Sequence, residues 1–176
     1  MKRSKITILL AIVLGMTFHS CLDLEPQDQL GGKNMWTSVN DYKQFANTFY
    51  SWTRDFSSVV YDGTHSDKRS DLITYQSYNE FSRGINSIPS SDANYTDNYK
   101  HIRRTNLLLQ NAEAYAKPED IKQYIGEAYF FRAYSYFDLL QLYGDVIITK
   151  KPLDITDPEM KVKRNDRSEV VDLIID

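Results

Sequence analysis

Three histidines and a single cysteine are the chain's whole stock of side chains that titrate, or act as thiol nucleophiles, near neutral pH. His19 sits at the end of an apolar leader, which leaves His65 and His101. Neither stands in a Ser-His-Asp order, a zinc-ligand spacing or a Gly-rich phosphate loop. Carboxylates are plentiful, with 24 Asp and Glu. A suitably spaced pair could hydrolyse a glycosidic bond, but nothing in the spacing singles out a pair. The chain therefore reads as a non-enzyme, with a glycoside hydrolase as the catalytic alternative. No cofactor and no metal site are expected.

Cys21 cannot close an intramolecular disulfide, because it has no partner in the chain. Its surroundings give it another use. Lys2, Arg3 and Lys5 precede an apolar run, Ile6–Met16. That run is shorter than the roughly 20 residues a helix needs to cross a bilayer, and it has the layout of a secretory signal. Ser20 is the small residue before Cys21. The arrangement resembles a bacterial lipoprotein signal, in which the cysteine is lipidated and becomes the mature N-terminus. A free thiol in an oxidising compartment would be a liability, which favours lipidation. Several acyl chains on one residue give durable attachment where one gives only marginal binding. The expected organisation is a signal peptide at 1–20, a lipidated tether at 21–37 with Pro26, Gly31 and Gly32, and a helical domain over 38–176. Asp23 and Glu25 resemble the acidic export signal that sends Bacteroidetes lipoproteins to the cell surface. Without Lys2, Arg3 and Lys5 the mature chain keeps 18 basic against 24 acidic residues, a net charge of −6. Such a chain is a poor polyanion binder, so no nucleic-acid partner is expected.

The elements that would position any binding residues are helices, since glycine and proline are scarce. Tyr42, Phe45, Phe49, Trp52 and Phe56 recur at helical spacing and predict a helix from Ser38 or Asn40 to Asp55, its aromatic stripe facing the core. Residues 57–97 lack such periodicity and are rich in Ser, Asp, Asn and Tyr. A stretch of that length is too long for a passive connector. A second helix is predicted from Tyr95 or Asn98 to Tyr115, capped by Thr96 or Asp97. A third should start at Pro118, with Glu119 and Asp120 at the positive end of its dipole, and stop at Gly144. It carries two stripes: Ile121, Ile125, Ala128, Arg132, Ser135, Leu139, Leu142, and Gly126, Phe130, Ala133, Phe137, Leu140. A helix apolar on two faces is expected to pack between neighbours. Arg132 should hold a carboxylate or carbonyls of an adjacent helix, and Glu127 and Asp138 should be paired. After an extended DVIIT run, Asp166 and Glu169 start a last helix with capping-box spacing. That helix stops at Asp176 with Val170, Val171, Leu173, Ile174 and Ile175 in need of burial. The sequence thus reads as the N-terminal piece of a longer protein.

Residues 127–149, EAYFFRAYSYFDLLQLYGDVIIT, resemble the signature of the SusD/RagB outer-membrane lipoproteins, roughly E-A-x-F-L-R-A-x-x-Y-F-x-L-x-x-x-Y-G-D-V-P. Glu127, Ala128, Phe130, Arg132, Ala133, Tyr136, Phe137, Leu139, Tyr143, Gly144, Asp145 and Val146 match. Ile147 stands where the family has proline. Tyr99, Ile102 and Asn106, the Asn47 and Tyr50 region, and the start at Cys21 fit as well. The resemblance implies a mostly α fold of tetratricopeptide-like helical pairs with a long irregular insertion, a SusD-like α superhelix truncated here at its C-terminus. It implies non-catalytic binding of an oligosaccharide or other nutrient at the cell surface. The partners would be that ligand, the membrane through the lipid anchor, and a TonB-dependent SusC-like transporter. Its ligand contacts would fall on Asp67, Arg69, Tyr75, Tyr78, Arg83, Tyr95 and Asn98. Aromatic rings there would stack on the C–H faces of sugars, while charged and amide groups take the hydroxyls. Tyr95 stands where family members often have Trp. A helical-repeat lipoprotein that binds proteins is the other non-enzymatic alternative.

Overall fold

The computed structural model describes residues 35–54, 84–85, 87–154 and 156–176. From Trp36 onward these belong to one compact unit. It is mostly helical: α1 (Val39–Asn47), α2 (Ala93–Glu113), α3 (Pro118–Tyr143) and α4 (Arg167–Ile175), with short 3-10 helices at Thr48–Trp52 and Pro158–Lys161.

Local chemistry explains each start and stop. Ser38 opens α1 with a reciprocal cap: the Asp41 N–H donates to its hydroxyl oxygen, and its own N–H donates to the Asp41 carboxylate at 2.8 Å. The predicted helix to Asp55 instead tightens into a 3-10 helix at Thr48. Three hydroxyls fold back onto carbonyls three residues earlier: Thr48 to Phe45, Ser51 to Thr48 and Thr53 to Tyr50. Such bonds compete with the helix ladder and favour the tighter winding. The aromatic stripe survives the change. Tyr42, Phe45 and Phe49 are buried, and Phe49 meets Trp52 at 4.6 Å.

Helix α2 starts earlier than predicted. Its cap is Asp92, whose carboxylate accepts the Asn94 N–H at 2.9 Å. Thr96 donates its hydroxyl to the Asp92 carbonyl, and Asp97 pairs with Lys100. Helix α3 follows the sequence expectation, with Pro118 in its first turn and Gly144 at its end. Gly144 adopts φ +71°, a backbone region costly for any residue with a Cβ. Asp166 caps α4 by accepting from the Ser168 N–H and hydroxyl.

Helix α3 is the centre of the unit, packed most extensively on α2 and also on α4 and α1. Its inner face buries Ile121, Ala128, Phe131, Ser135, Tyr136 and Leu139. Ile102, Val146 and Val170 join Tyr136 and Leu139 in one apolar cluster. Each such side chain contributes about 1.5–3 kcal/mol when fully buried. The second stripe is not sandwiched between the described helices. Phe130 and Phe137 are 62% and 45% exposed, and apart from its chain neighbours and its own helix backbone no described atom lies within 4 Å of a Cβ built on Gly126. α2 and α4 share the buried cluster built on the opposite, inner face of α3, and the α1 stripe meets α3 through Phe49 on the buried Phe131.

Most buried polar groups are paired; among the described residues Arg104 Nε and Glu127 Oε2 are buried without a hydrogen-bond partner. Asp138 forms an ion pair with Arg54, whose Nε donates to the Tyr134 hydroxyl at 3.2 Å. Arg132 reaches the adjacent helix as expected, but its partner is an amide: Nη1 donates to Asn106 Oδ1 at 3.0 Å. Glu127 accepts from Gln123 Nε2 at 2.9 Å.

The extended run after Gly144 has its only ladder bond, among the described residues, in the antiparallel bridge between Val146 and Asn165. The Asn165 N–H donates to the Val146 carbonyl, and the Ile148 N–H donates to the Asn165 side chain, both at 2.9 Å. Phenols serve the other edge. The Tyr99 hydroxyl accepts from the Ile147 N–H and donates to the Ile147 carbonyl, each at 2.9 Å. The Tyr136 hydroxyl does the same two residues on, at 2.7 Å from the Thr149 N–H and 3.2 Å from its carbonyl. Asn106 Nδ2 adds donations to the carbonyls of Thr149 and Lys151. Successive N–H and C=O pairs on one edge of a strand recur every second residue, and the two helices present tyrosines at that period.

Candidate functional site

The sequence-predicted contacts divide sharply. Cys21, Asp67, Arg69, Tyr75, Tyr78 and Arg83 lie outside the described residues. Tyr95 and Asn98 lie on the first two turns of α2, three residues apart and hence on neighbouring positions of its surface. Asn98 is 9% exposed, and its Nδ2 donates to the Asn94 carbonyl one turn back at 2.8 Å.

Tyr95 is half-buried at the rim of the apolar cluster. Its ring meets Tyr99 at 4.8 Å and stands edge-on to Tyr143 at 5.2 Å and 88°. Edge-to-face pairs of this kind hold ring orientation as well as burying area. Tyr143 is fixed in turn, since its hydroxyl donates to Asp92 Oδ2 at 2.6 Å. The Tyr143 bond comes first among the causes that hold the Asp92 carboxyl below its usual range, helped by the N–H groups of Asn94 and Tyr95. Burial and the neighbouring Tyr95 push the Tyr99 phenol well above its usual value. The Tyr99 phenol therefore stays neutral at physiological pH, an aromatic and hydrogen-bonding surface rather than an acid.

Asp92, Tyr99 and Tyr143 complete this cluster although sequence reasoning did not select them for it. Tyr99 and Tyr143 were visible in the family pattern, but with no role attached. Asp92 carried the residue type of a helix cap but lay three residues ahead of the first periodic apolar position.

His101 is a stacking partner. Its imidazole lies on the Trp52 indole at 4.1 Å and 13°, and burial holds its pKa below the usual value. Among the described residues no three His, Cys, Asp or Glu side chains gather where they could hold a metal ion. No helix among them is long and apolar enough to cross a membrane.

Residues 22–176 match the SusD-like family described as starch-binding and associating with the outer membrane. The chain is 27% identical over 194 aligned positions to a SusD-like protein of Formosa agariphila, covering 99% of this chain and 36% of that one. It superposes with a TM-score of 0.64 on the crystal structure of a SusD-like protein from Bacteroides fragilis, at 23% identity, covering 85% of this chain and 30% of the other. That likeness speaks for the fold alone. The chain spans about a third of the length of these two relatives.

Proposed function

This chain belongs to the SusD-like family, and from that premise we propose that it captures oligosaccharides at the outer membrane without altering them and delivers them to a TonB-dependent SusC-like transporter. The family match over residues 22–176, with its starch-binding description, is the observation that carries the reading. The Tyr95 cluster supports it, because a braced and partly exposed aromatic ring beside amide groups is the chemistry that grips a sugar ring. In this reading Asp67, Arg69, Tyr75, Tyr78 and Arg83 join Tyr95 and Asn98 as contacts, and Cys21 carries the lipid anchor after the 1–20 signal is removed.

Isothermal titration of the purified protein against maltoheptaose and a panel of other oligosaccharides tests the binding. Saturable heat with the sugar recovered intact is expected. Release of shorter sugars on prolonged incubation would count for a glycoside hydrolase, and protein capture without sugar binding would count for an interaction scaffold. Cys21→Ala should move the protein out of the membrane fraction. Radiolabelled palmitate still incorporated by that variant would remove Cys21 as the attachment site.

A further inference from the structure

The contact reading names Tyr95 but leaves open what aims its ring. We infer that Tyr143, anchored by Asp92, is the positioning residue for Tyr95, so that the bond closing α3 onto the cap of α2 sets the aromatic surface a sugar would meet. The inference rests on the proposed function for the ligand and on geometry for the rest.

The geometry has three linked parts. Tyr143 is the last residue of α3 and Asp92 the residue capping α2, and their side chains join the two helix ends at 2.6 Å. The same carboxylate accepts from the Asn94 N–H in the first turn of α2, so one side chain fixes both the helix start and the Tyr143 phenol. The Tyr143 ring then stands edge-on against Tyr95 at 5.2 Å, while Tyr99 confines Tyr95 from within α2 at 4.8 Å. Tyr99 is itself held by the Ile147 backbone. Both of these ring neighbours of Tyr95 are thus pinned through their own hydroxyls. Tyr95, in the first turn of α2 and half-buried, is the member left to meet a ligand. A residue held this way pays little ordering entropy on binding, which is the advantage of preorganised aromatic contacts.

Tyr143→Phe removes the bond to Asp92 and keeps the ring. Uniform 3-fluorotyrosine labelling, with the Tyr95 resonance assigned through Tyr95→Phe, reports that ring directly by fluorine NMR. The Tyr95 resonance is expected to move and broaden in Tyr143→Phe. An unchanged Tyr95 resonance would overturn the inference while leaving the contact reading intact. Titration with maltoheptaose should show Tyr143→Phe about fivefold weaker than the unaltered protein, and no further loss when Tyr143→Phe is added to Tyr95→Ala. An equal loss in the Tyr95→Ala background would mean that Tyr143 acts elsewhere, and would overturn the positioning role. Full affinity in Tyr95→Ala alone would sink the contact reading and this inference with it. If the unaltered protein shows no heat with maltoheptaose, starch fragments are excluded as its ligand and the fluorine signature decides the positioning.

Discussion

Tyr99→Phe is the most informative single change, because the structure lets its cost be ranked against a near twin. Tyr99 and Tyr136 each hold one residue of the extended 146–149 segment through a hydroxyl that accepts and donates. Removing the Tyr136 hydroxyl strands the Thr149 N–H, but the Thr149 carbonyl keeps its bond from Asn106 at 2.9 Å. Removing the Tyr99 hydroxyl takes from the Ile147 N–H and carbonyl the phenol that serves both. One stranded backbone group costs about 1–3 kcal/mol where water does not replace the partner. Thr149 and Ile147 are half-buried, so the lower part of that range applies. Tyr136→Phe should therefore cost about 1–2 kcal/mol and Tyr99→Phe about 2–3 kcal/mol. At about 4 °C per kcal/mol for a unit of this size, the Tyr99 variant should melt about 8–12 °C below the unaltered protein. Thermal unfolding followed by far-UV circular dichroism measures the ranking, and hydrogen exchange at the Ile147 amide locates it. Both changes act on one segment, so the double variant should lose less than the sum of the two singles. If Tyr99→Phe melts within a degree or so of the unaltered protein, or above Tyr136→Phe, the account of the segment as held by phenols is wrong.

Three further outcomes follow from the same geometry. Arg54→Ala removes the Arg54 guanidinium from the carboxylate of Asp138, 12% exposed, and should cost about 1–3 kcal/mol in urea unfolding; the double change Arg54→Leu with Asp138→Leu should recover much of it. Gly144→Ala forces a Cβ into φ +71° and to 3.2 Å from Arg167 Nη2, so a loss of about 1–3 kcal/mol is expected, whereas Gly126→Ala, in open surroundings, should stabilise by up to about 1 kcal/mol. Asp92 titrates below its ordinary 3.8, first because of the Tyr143 bond and then because of the Asn94 and Tyr95 N–H groups; the stability this supplies is present above pH 3.8 and is lost as the pH falls through the lowered value. Asp92→Asn should flatten that part of the stability–pH curve.

The helices were legible where the punctuation is local. Pro118, Glu119, Asp120 and Gly144 bracket α3 in the sequence as they do in space, and Asp166 marks α4. Helix α2 begins ahead of its predicted start because Asp92 caps a turn, Ala93-Asn94, that carries no apolar period. The end of α1 was misplaced because three hydroxyls that turn back on the chain do not alter the spacing of the aromatics. Pairing was legible in kind but not in partner. Arg132 had to be satisfied, yet only the packed helices reveal that the acceptor is the neutral Asn106 amide rather than a carboxylate. Of the candidate contacts, Tyr95 and Asn98 can be placed because α2 is regular there; the contacts from Asp67 to Arg83 lie outside the described residues.

A lone extended segment normally presents one row of unsatisfied amides to whatever chain drifts past, and such rows seed misassembly. Here the phenols of Tyr99 and Tyr136 occupy that row from within the same molecule. An intruding strand would have to evict a phenol for each backbone pair it gains at Ile147 and Thr149. Crowding many copies side by side on a surface thus need not promote edge-to-edge association through this segment.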